Sequence, residues 1–499
     1  MEDIVLYTAL SLLFLALAFK LYQSRRSHKN LPPSPPSLPI LGHLHLLKPP
    51  LHRFYNKLSQ KYGPIISLRF GSRLVVVVSS PSAVEECFTK NDIVLANRPR
   101  LLAGKHISYN YSTIISAPYG DHWRNLRRIG TLQIFSTHRV NTFASIRKDE
   151  IKRLLGKLSR SFGEKVDLRS QFSNLTYNII MIEVAGKRYY GDEVESDEES
   201  RRFRELTAKM VSINGVSNKG DFLPILNWID GGKFEKKVKG IAEIMDSFLQ
   251  ELVDEQRSKR ENSESMNTMI GHLLSLQEEQ PQYYTDQIIK GLVMVILFAG
   301  SDTSATTLEW AMSNLLNHPE VLTKARAELD DQVGEDRLIE ESDLSKLPYL
   351  QNIVSETLRL NPATPLLVPH YSSTDCSIGG YNVPRDTIVL INAWAIQRDP
   401  KLWNDPLSFK PERYESGESE SYKFLPFGLG RRACPGAIMA QRVVGLTLGT
   451  LIQCFEWERV SEEEVDMTEI IASVLHKAIP LEALCKARPV TTKLFHEAA

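Results

Sequence analysis

Apolar positions recur every three to four residues along most of this chain, in stretches opened by capping residues and closed by proline or glycine. That is the period of amphipathic helices. Three regions depart from it. Ile65–Phe70 and Leu74–Val78 are dense in β-formers and flank Gly71-Ser72-Arg73, which predicts a hairpin. A second sheet signal runs from Cys376 to Ile391, broken at Gly379-Gly380. The third, Ile4 to Tyr22, is apolar with one charge, Lys20, near its end. As a helix it would span about 28 Å, close to the ~27 Å core of an endoplasmic reticulum bilayer, and Lys20 can snorkel to the interface. Glu2 and Asp3 precede it while Arg25, Arg26 and Lys29 follow, an asymmetry that leaves the rest of the chain cytosolic. A cleaved signal peptide needs a basic start and a small-x-small site, and neither stands before Arg25. Prolines crowd Leu31 to Pro39 and force extended, stiff backbone. The pattern therefore predicts a mainly α protein with a small β portion: an anchor over 1–24, a basic and Pro-rich hinge over 25–42, and one domain over 43–499.

Composition narrows this little. The 499 residues are 42% apolar and 24% charged, an ordinary globular balance. Sixty basic residues offset sixty acidic ones, so nothing in the charge argues for nucleic acid. Five cysteines without a C-x-x-C pair fit a reducing compartment and exclude the C-x-x-C-H form of heme attachment. The N-x-S/T triplets at Asn110 and Asn174 then read as chance. Asp192–Ser200 and Glu415–Ser421, acidic and serine-rich, read as solvated loops.

Four local patterns carry chemistry. Phe427-Gly428-Leu429-Gly430-Arg431-Arg432-Ala433-Cys434-Pro435-Gly436 places a thiol in a glycine-rich loop beside two arginines. Gly428, Gly430 and Gly436 permit tight turns, Arg432 offers a carboxylate-matching fork, and a metal or positive charge lowers a thiol's pKa. Thr285-Asp286 opens a helix whose apolar stretch, Gly291 to Phe298, runs into Ala299-Gly300-Ser301-Asp302-Thr303-Ser304. Polar Asp302 and Thr303 in so apolar a helix need a partner or a cavity. Glu356 and Arg359 share one face of a helix ended by Pro362, and Pro411-Glu412-Arg413-Tyr414 follows. Trp123 and Arg127 also share a helical face, and both can donate to a carboxylate. Singly, each has a bland alternative: an inert Cys, a Ser/Thr-rich turn, a surface ion pair, a solvated Arg. His43-x-His45 has metal-like spacing but no third ligand, and both read as surface histidines.

Together, and with the Glu356–Arg359 and Arg413 motifs preceding the Cys434 loop in that order, the four patterns resemble the cytochrome P450 family, over nearly the whole chain and with no motif residue missing. The resemblance implies the P450 fold and a heme b cofactor with Cys434 as the iron's axial thiolate. It implies Phe427, Trp123, Arg127, Arg432 and His370 around the heme, the last four as propionate partners. It implies Thr303 and Asp302 in proton delivery, and Glu356, Arg359 and Arg413 as a scaffold-locking triad. Ala299, Leu366, Leu367 and Val368 would line the substrate pocket, with Leu101–Ala117, Ala363–Val368 and Ser473–Ile479 enclosing it. Phe222-Leu223-Pro224 and the Ala299–Thr303 segment resemble the plant microsomal branch, and the chain is similar to isoflavone hydroxylases and lignan methylenedioxy-bridge synthases.

The function so implied is a membrane-bound monooxygenase of the endoplasmic reticulum that uses O2 on a small lipophilic plant metabolite: an isoflavonoid, flavonoid or lignan, or alternatively a terpenoid. Its electrons would come from NADPH through NADPH–cytochrome P450 reductase, since no flavin or dinucleotide fingerprint is present. Arg124, Arg128 and Arg431 are candidates for the docking patch. Two other classes stay open. A heme-thiolate isomerase or dehydratase of hydroperoxides would usually lack the Asp-Thr pair and carry an altered Cys loop. A non-enzymatic membrane heme-binding protein would need no proton relay.

Overall fold

The computed structural model describes residues 3, 5–15, 30–161, 163–213, 218–262, 267–415, 422–470 and 473–491. Much of the expected anchor, the basic cluster after it and the Glu415–Ser421 loop beyond Glu415 fall outside these residues. Within them Val5–Leu15 is an apolar helix whose large side chains are exposed.

Helix dominates, as the periodicity predicts. Seven helices position the site: α1 (Leu51–Tyr62), α2 (Asp121–Arg128), α3 (Leu168–Ala185), α4 (Lys233–Glu261), α5 (Asp286–Asn317), α6 (Pro348–Leu360) and α7 (Ala437–Cys454). The strands are β1 (Ile65–Phe70), β2 (Arg73–Val78), β3 (Val166–Asp167), β4 (His370–Tyr371), β5 (Cys376–Ile378), β6 (Tyr381–Val383), β7 (Ile388–Ile391), β8 (Phe455–Arg459) and β9 (Glu482–Ala487). They form a four-stranded sheet in the order β1-β2-β7-β4, a three-stranded sheet β3-β9-β8, and the β5-β6 pair.

The first predicted hairpin is β1–β2, in antiparallel register Ile65↔Val78 to Phe70↔Arg73. Its turn is Gly71-Ser72, because Arg73 already pairs. The second sheet signal divides. Before Gly379-Gly380 and just after it lie β5 and β6, whereas Ile388–Ile391 joins the other sheet, parallel to β2. The four valines of β2 bury both faces, Val75 and Val77 with Tyr55 of α1, Val76 and Val78 with Val84 and Phe88, as suits a strand with a parallel neighbour.

The central helix α5 starts where Thr285-Asp286 predicts and is buried along most of its length. It packs along α3, with α7 and α6 also against it. α5 and α7 are long and apolar enough to cross a membrane, but both are mostly buried inside the fold and serve as core.

Glu356 and Arg359 lie on the inner face of α6, fully buried. Glu356 Oε2 accepts from Arg359 Nε at 2.7 Å, and Oε1 accepts from Arg413 Nε at 2.9 Å and from the Lys410 N–H at 2.9 Å. Arg359 Nη1 donates onward to the Gln397 carbonyl at 2.7 Å, and Gln397 Oε1 accepts the Leu425 N–H at 2.7 Å. Leu425 begins the Cys434 loop, so this ion cluster is wired to it.

Removing one partner from a buried ion pair strands a charge and costs about 3–5 kcal/mol. Glu356→Ala and Arg413→Ala should therefore each lower the unfolding midpoint and the soluble yield sharply, measured by thermal denaturation. Unchanged midpoints in both would show that the cluster does not hold the fold.

Candidate active site

The Cys434 loop is shaped by two glycines. Gly428 and Gly430 stand at φ +66° and +67°, in the left-handed region that L side chains avoid. A Cβ on Gly430 would also meet Asp92 Oδ1 at 2.5 Å. Gly436 differs from expectation: its φ is −91° and a Cβ there meets Phe135 at an ordinary 3.6 Å, so this position does not require glycine. The turn closes through Cys434 N–H to the Phe427 carbonyl at 2.9 Å and Ala433 N–H to Gly430 at 3.1 Å.

α7 begins three residues after Cys434, directing the positive end of its dipole toward the thiol. Cys434 is exposed and lines the cavity above it. Burial raises its pKa, opposed by the Gly436 N–H and the Arg127 charge. The loop's own arginines do not act on it as the sequence suggests. Arg431 pairs with Asp92 at 3.1 Å. Arg432 reaches the Ala96, Ile114 and Ala117 carbonyls and lies 4.3 Å over the Trp123 ring. Arg127 of α2, bonded to the Ala433 carbonyl at 2.5 Å, is the cation beside the sulfur.

Above Cys434 lies a cavity of about 280 Å³. Ala299, Gly300 and Thr303 of α5 form one wall, Ala363, Thr364, Leu367 and Val368 another, with Ile114 and Ile115 from the Leu101–Ala117 segment. Phe427, Trp123, Arg127, Arg432 and His370 also line it. Two pocket expectations are corrected. Leu366 turns away and packs on the four-stranded sheet's core of Tyr55, Ile66 and Leu390, because Leu367 takes φ +52° and swings the chain over. The Ser473–Ile479 turn does not line the cavity; Leu475 packs with Trp394 and Ala395 instead.

Positive charge concentrates around this cavity without a counter-charge. Arg98, Arg127 and Arg432 line it, and among the described residues none meets a carboxylate. Burial, then their mutual repulsion, pushes Arg432 down to about 9; burial alone pushes Arg98 down to about 10. Arg98 Nη1 donates to the Val368 and Pro369 carbonyls at 2.8 and 2.7 Å, while its buried Nε has no partner. Trp123 Nε1 donates to the Ile114 carbonyl at 2.9 Å. His370 spends its one N–H, Nδ1, on the Leu95 carbonyl at 2.9 Å. Burial and then Arg98 push its pKa down to about 3, so it stands here as a neutral acceptor rather than a donor. Three half-buried guanidiniums, one with an orphaned N–H, fit a ligand that brings two carboxylates; a thiol at the cavity floor fits the ligand's iron. The residues present thus suit heme. Arg98 was missed from sequence, since nothing in Asn97-Arg98-Pro99 marks it as buried.

On α5, Thr303 Oγ1 donates to the Ala299 carbonyl at 2.7 Å, Ser304 to Gly300 at 2.9 Å and Thr307 to Thr303 at 2.8 Å. Hydroxyls bonded back in this way loosen a helix wall. Asp302 is absent from the cavity wall; its Oδ2 stands 3.3 Å from His476 Nε2, a neighbour the sequence did not suggest.

Comparison with known proteins agrees with this geometry. A family model described as Cytochrome P450 matches residues 32–483. The chain is 57% identical to an isoflavone 3'-hydroxylase of Medicago truncatula, covering 97% of this chain and 98% of that one. It is 52% identical to an isoflavone 2'-hydroxylase of Glycyrrhiza echinata, covering 99% and 100%. A zebra fish cytochrome P450 solved with abiraterone superposes with a TM-score of 0.76 at 27% identity, covering 89% of this chain and 100% of that one.

His370 supplies a pH test. Its folded pKa of about 3 lies below the 6.5 of the unfolded chain, so below pH 6.5 the unfolded state binds a proton that the folded state refuses. Stability should fall by up to about 1.4 kcal/mol per pH unit from this residue as pH drops from 6.5. Denaturant unfolding at pH 7 and 5 should show a smaller loss for His370→Gln than for wild type; equal losses would mean that the histidine is protonated in the fold.

Proposed function

The chain belongs to the cytochrome P450 family, and from that membership we propose that it hydroxylates a small lipophilic plant phenolic of the isoflavonoid class. It is a heme-thiolate monooxygenase: it takes dioxygen, a small organic substrate and electrons from a redox partner. The heme, when bound, supplies dioxygen activation and insertion of one oxygen atom into the substrate. The substrate class rests on identity above 50% along the full length of two isoflavone hydroxylases. The cavity suits it, with isoleucine, leucine, valine and alanine on the substrate side and few polar groups to orient a ring system.

Within this reading Cys434 is the metal ligand, and Arg98, Arg127, Arg432 and Trp123 meet the two propionates by exchanging carbonyl partners for carboxylates. Phe427, at the start of the sulfur loop, lines the cavity and would pack against the heme. Ala299, Leu367 and Val368 set the substrate's orientation. Thr303, on the cavity wall, holds a hydroxyl where a proton is needed, and Asp302, behind it, connects to solvent. Glu356, Arg359 and Arg413 keep the loop in place. The redox partner is an NADPH-dependent reductase.

We also propose an anchor over 1–24, a hinge over 25–42 and a cytosolic catalytic body at the endoplasmic reticulum membrane. Exposed apolar side chains support it. Leu38, Ile40 and Leu41 lie beside the β1–β2 turn, as do Ile225, Trp228 and Ile229. The Gly71 N–H bonds the Leu41 carbonyl at 3.2 Å and the Ser72 N–H bonds Phe222 at 3.0 Å, so the two groups share one face. Tryptophan is at home in a membrane interface.

Cys434→Ser tests the core of this reading. A hydroxyl cannot replace a thiolate opposite carbon monoxide, so the red-shifted Soret band of the reduced carbon monoxide complex should vanish along with product formation. A variant that keeps the band would remove Cys434 as ligand. For the membrane, removal of residues 1–29 should leave a heme-loaded body that still sediments partly with phospholipid vesicles, and adding Trp228→Ser with Ile229→Ser should release it. Complete release by truncation alone would exclude this face.

A further inference from the structure

His476 is the feature that the assigned roles leave unused. Its ring spans one turn of α5. Nε2 stands 3.3 Å from Asp302 Oδ2, and Nδ1 lies 3.0 Å from Thr306 Oγ1. Residues four apart share a helix face, so a single planar ring can contact both. Asp302 and His476 each keep some solvent access, at 22% and 17% of their side-chain surface, while Thr303 lines the cavity.

The loop that carries His476 does not depend on this ring. The Leu475 N–H bonds the Ala363 carbonyl at 2.9 Å, Trp310 Nε1 bonds the Leu475 carbonyl at 2.5 Å, and Arg169 Nη2 bonds the Lys477 carbonyl at 2.7 Å. Nor can nearby charges replace it at Asp302. Arg169 is engaged by Glu309 at 3.0 Å, and Lys477 reaches the Asp466 carbonyl. Tyr177 of α3 faces Asp302, but burial, then the carboxylate itself, hold its hydroxyl protonated. Among the described residues His476 is the only ion-pair partner of Asp302. Without it a short, half-buried carboxylate is free to rotate out to solvent.

We propose that His476 is a positioning residue for proton delivery: it fixes the Asp302 carboxylate on the solvent side of α5, behind Thr303. This rests on the monooxygenase reading, in which Asp302 passes protons from solvent toward the cavity.

The test uses the heme-loaded enzyme with a flavonoid substrate and three substitutions. Glutamine puts its amide nitrogen near the place of Nε2 and keeps the Asp302 contact. Asparagine keeps only the Thr306 side, and phenylalanine keeps the ring's bulk without a donor. His476→Phe and His476→Asn should lower product per NADPH by about tenfold, less than the roughly 100- to 10,000-fold of a lost acid–base group because the proton carrier itself remains, with heme content and substrate-induced spectral affinity unchanged. His476→Gln should recover most of the coupling. Carbodiimide labelling of Asp302, read by peptide mass spectrometry, should be several-fold faster in the Phe and Asn variants than in wild type and Gln. A benzyl group covers as much as imidazole, so exposure cannot produce that order. Should Phe load poorly, Asn decides. Gln behaving like Phe in both readouts would overturn the proposal, as would coupling at the wild-type level in both Phe and Asn. Asp302→Asn separates the layers. If it couples normally, the proton-delivery reading itself fails; if it uncouples while Phe and Asn do not, only the role of His476 falls.

Discussion

Half-buried positive charge without a counter-charge is the constraint around which this molecule is organised. Burying a lone cation costs several kcal/mol unless something pairs with it. Arg98, Arg127 and Arg432 nevertheless surround one cavity and spend their N–H groups on main-chain carbonyls. A fold selected for stability alone would place a carboxylate among them, as it does for Arg359 and Arg147. In the proposed reading the missing charge would come from the ligand's carboxylates. The same field acts on Cys434, where Arg127 and the start of α7 work against the burial that otherwise keeps a thiol protonated. In the proposed reading, metal ligation would complete the ionisation that they begin.

The rest of the structure holds these groups at fixed places. Glu356 gathers Arg359 and Arg413, and through Gln397 the cluster reaches Leu425 at the mouth of the Cys434 loop. α5 crosses above with a turn whose hydroxyls bond back to its own carbonyls. A small glycine there packs close to Ile180, where a Cβ would come within 3.1 Å. The ligand floor and the reactive wall are thus set by different elements, each buried and each with its own hydrogen bonds, and substrate shape is left to apolar side chains between them.

Much of this was legible in the sequence, for physical reasons that also explain what was not. Cys434, Gly428 and Gly430 sit in a loop whose spacing is imposed by backbone geometry. Glu356 and Arg359 show their shared face by helical period. α5 begins at the Thr285-Asp286 signal and runs as one buried helix. Orientation in aperiodic backbone was not readable. Leu366 and Leu367 look equivalent until a positive φ turns one toward the sheet and the other toward the cavity. Arg98 and His476 gain meaning only from elements distant in sequence, Val368 for one and Asp302 for the other. Gly436 was misjudged because a glycine beside two needed ones need not share their conformation. The membrane anchor could be read only as composition, since most of it lies outside the described residues.

If the three arginines await a ligand's carboxylates, titration of the heme-free protein with heme and with heme dimethyl ester, followed at the Soret band, should separate the two ligands. Loss of one partner from a buried charge pair costs about 2–5 kcal/mol, and 1.4 kcal/mol is a factor of ten. The ester should therefore bind more weakly by at least about 30-fold, and a variant with Arg98→Met and Arg432→Met should narrow that gap. Equal affinity for the acid and the ester in the wild-type protein would contradict the claim.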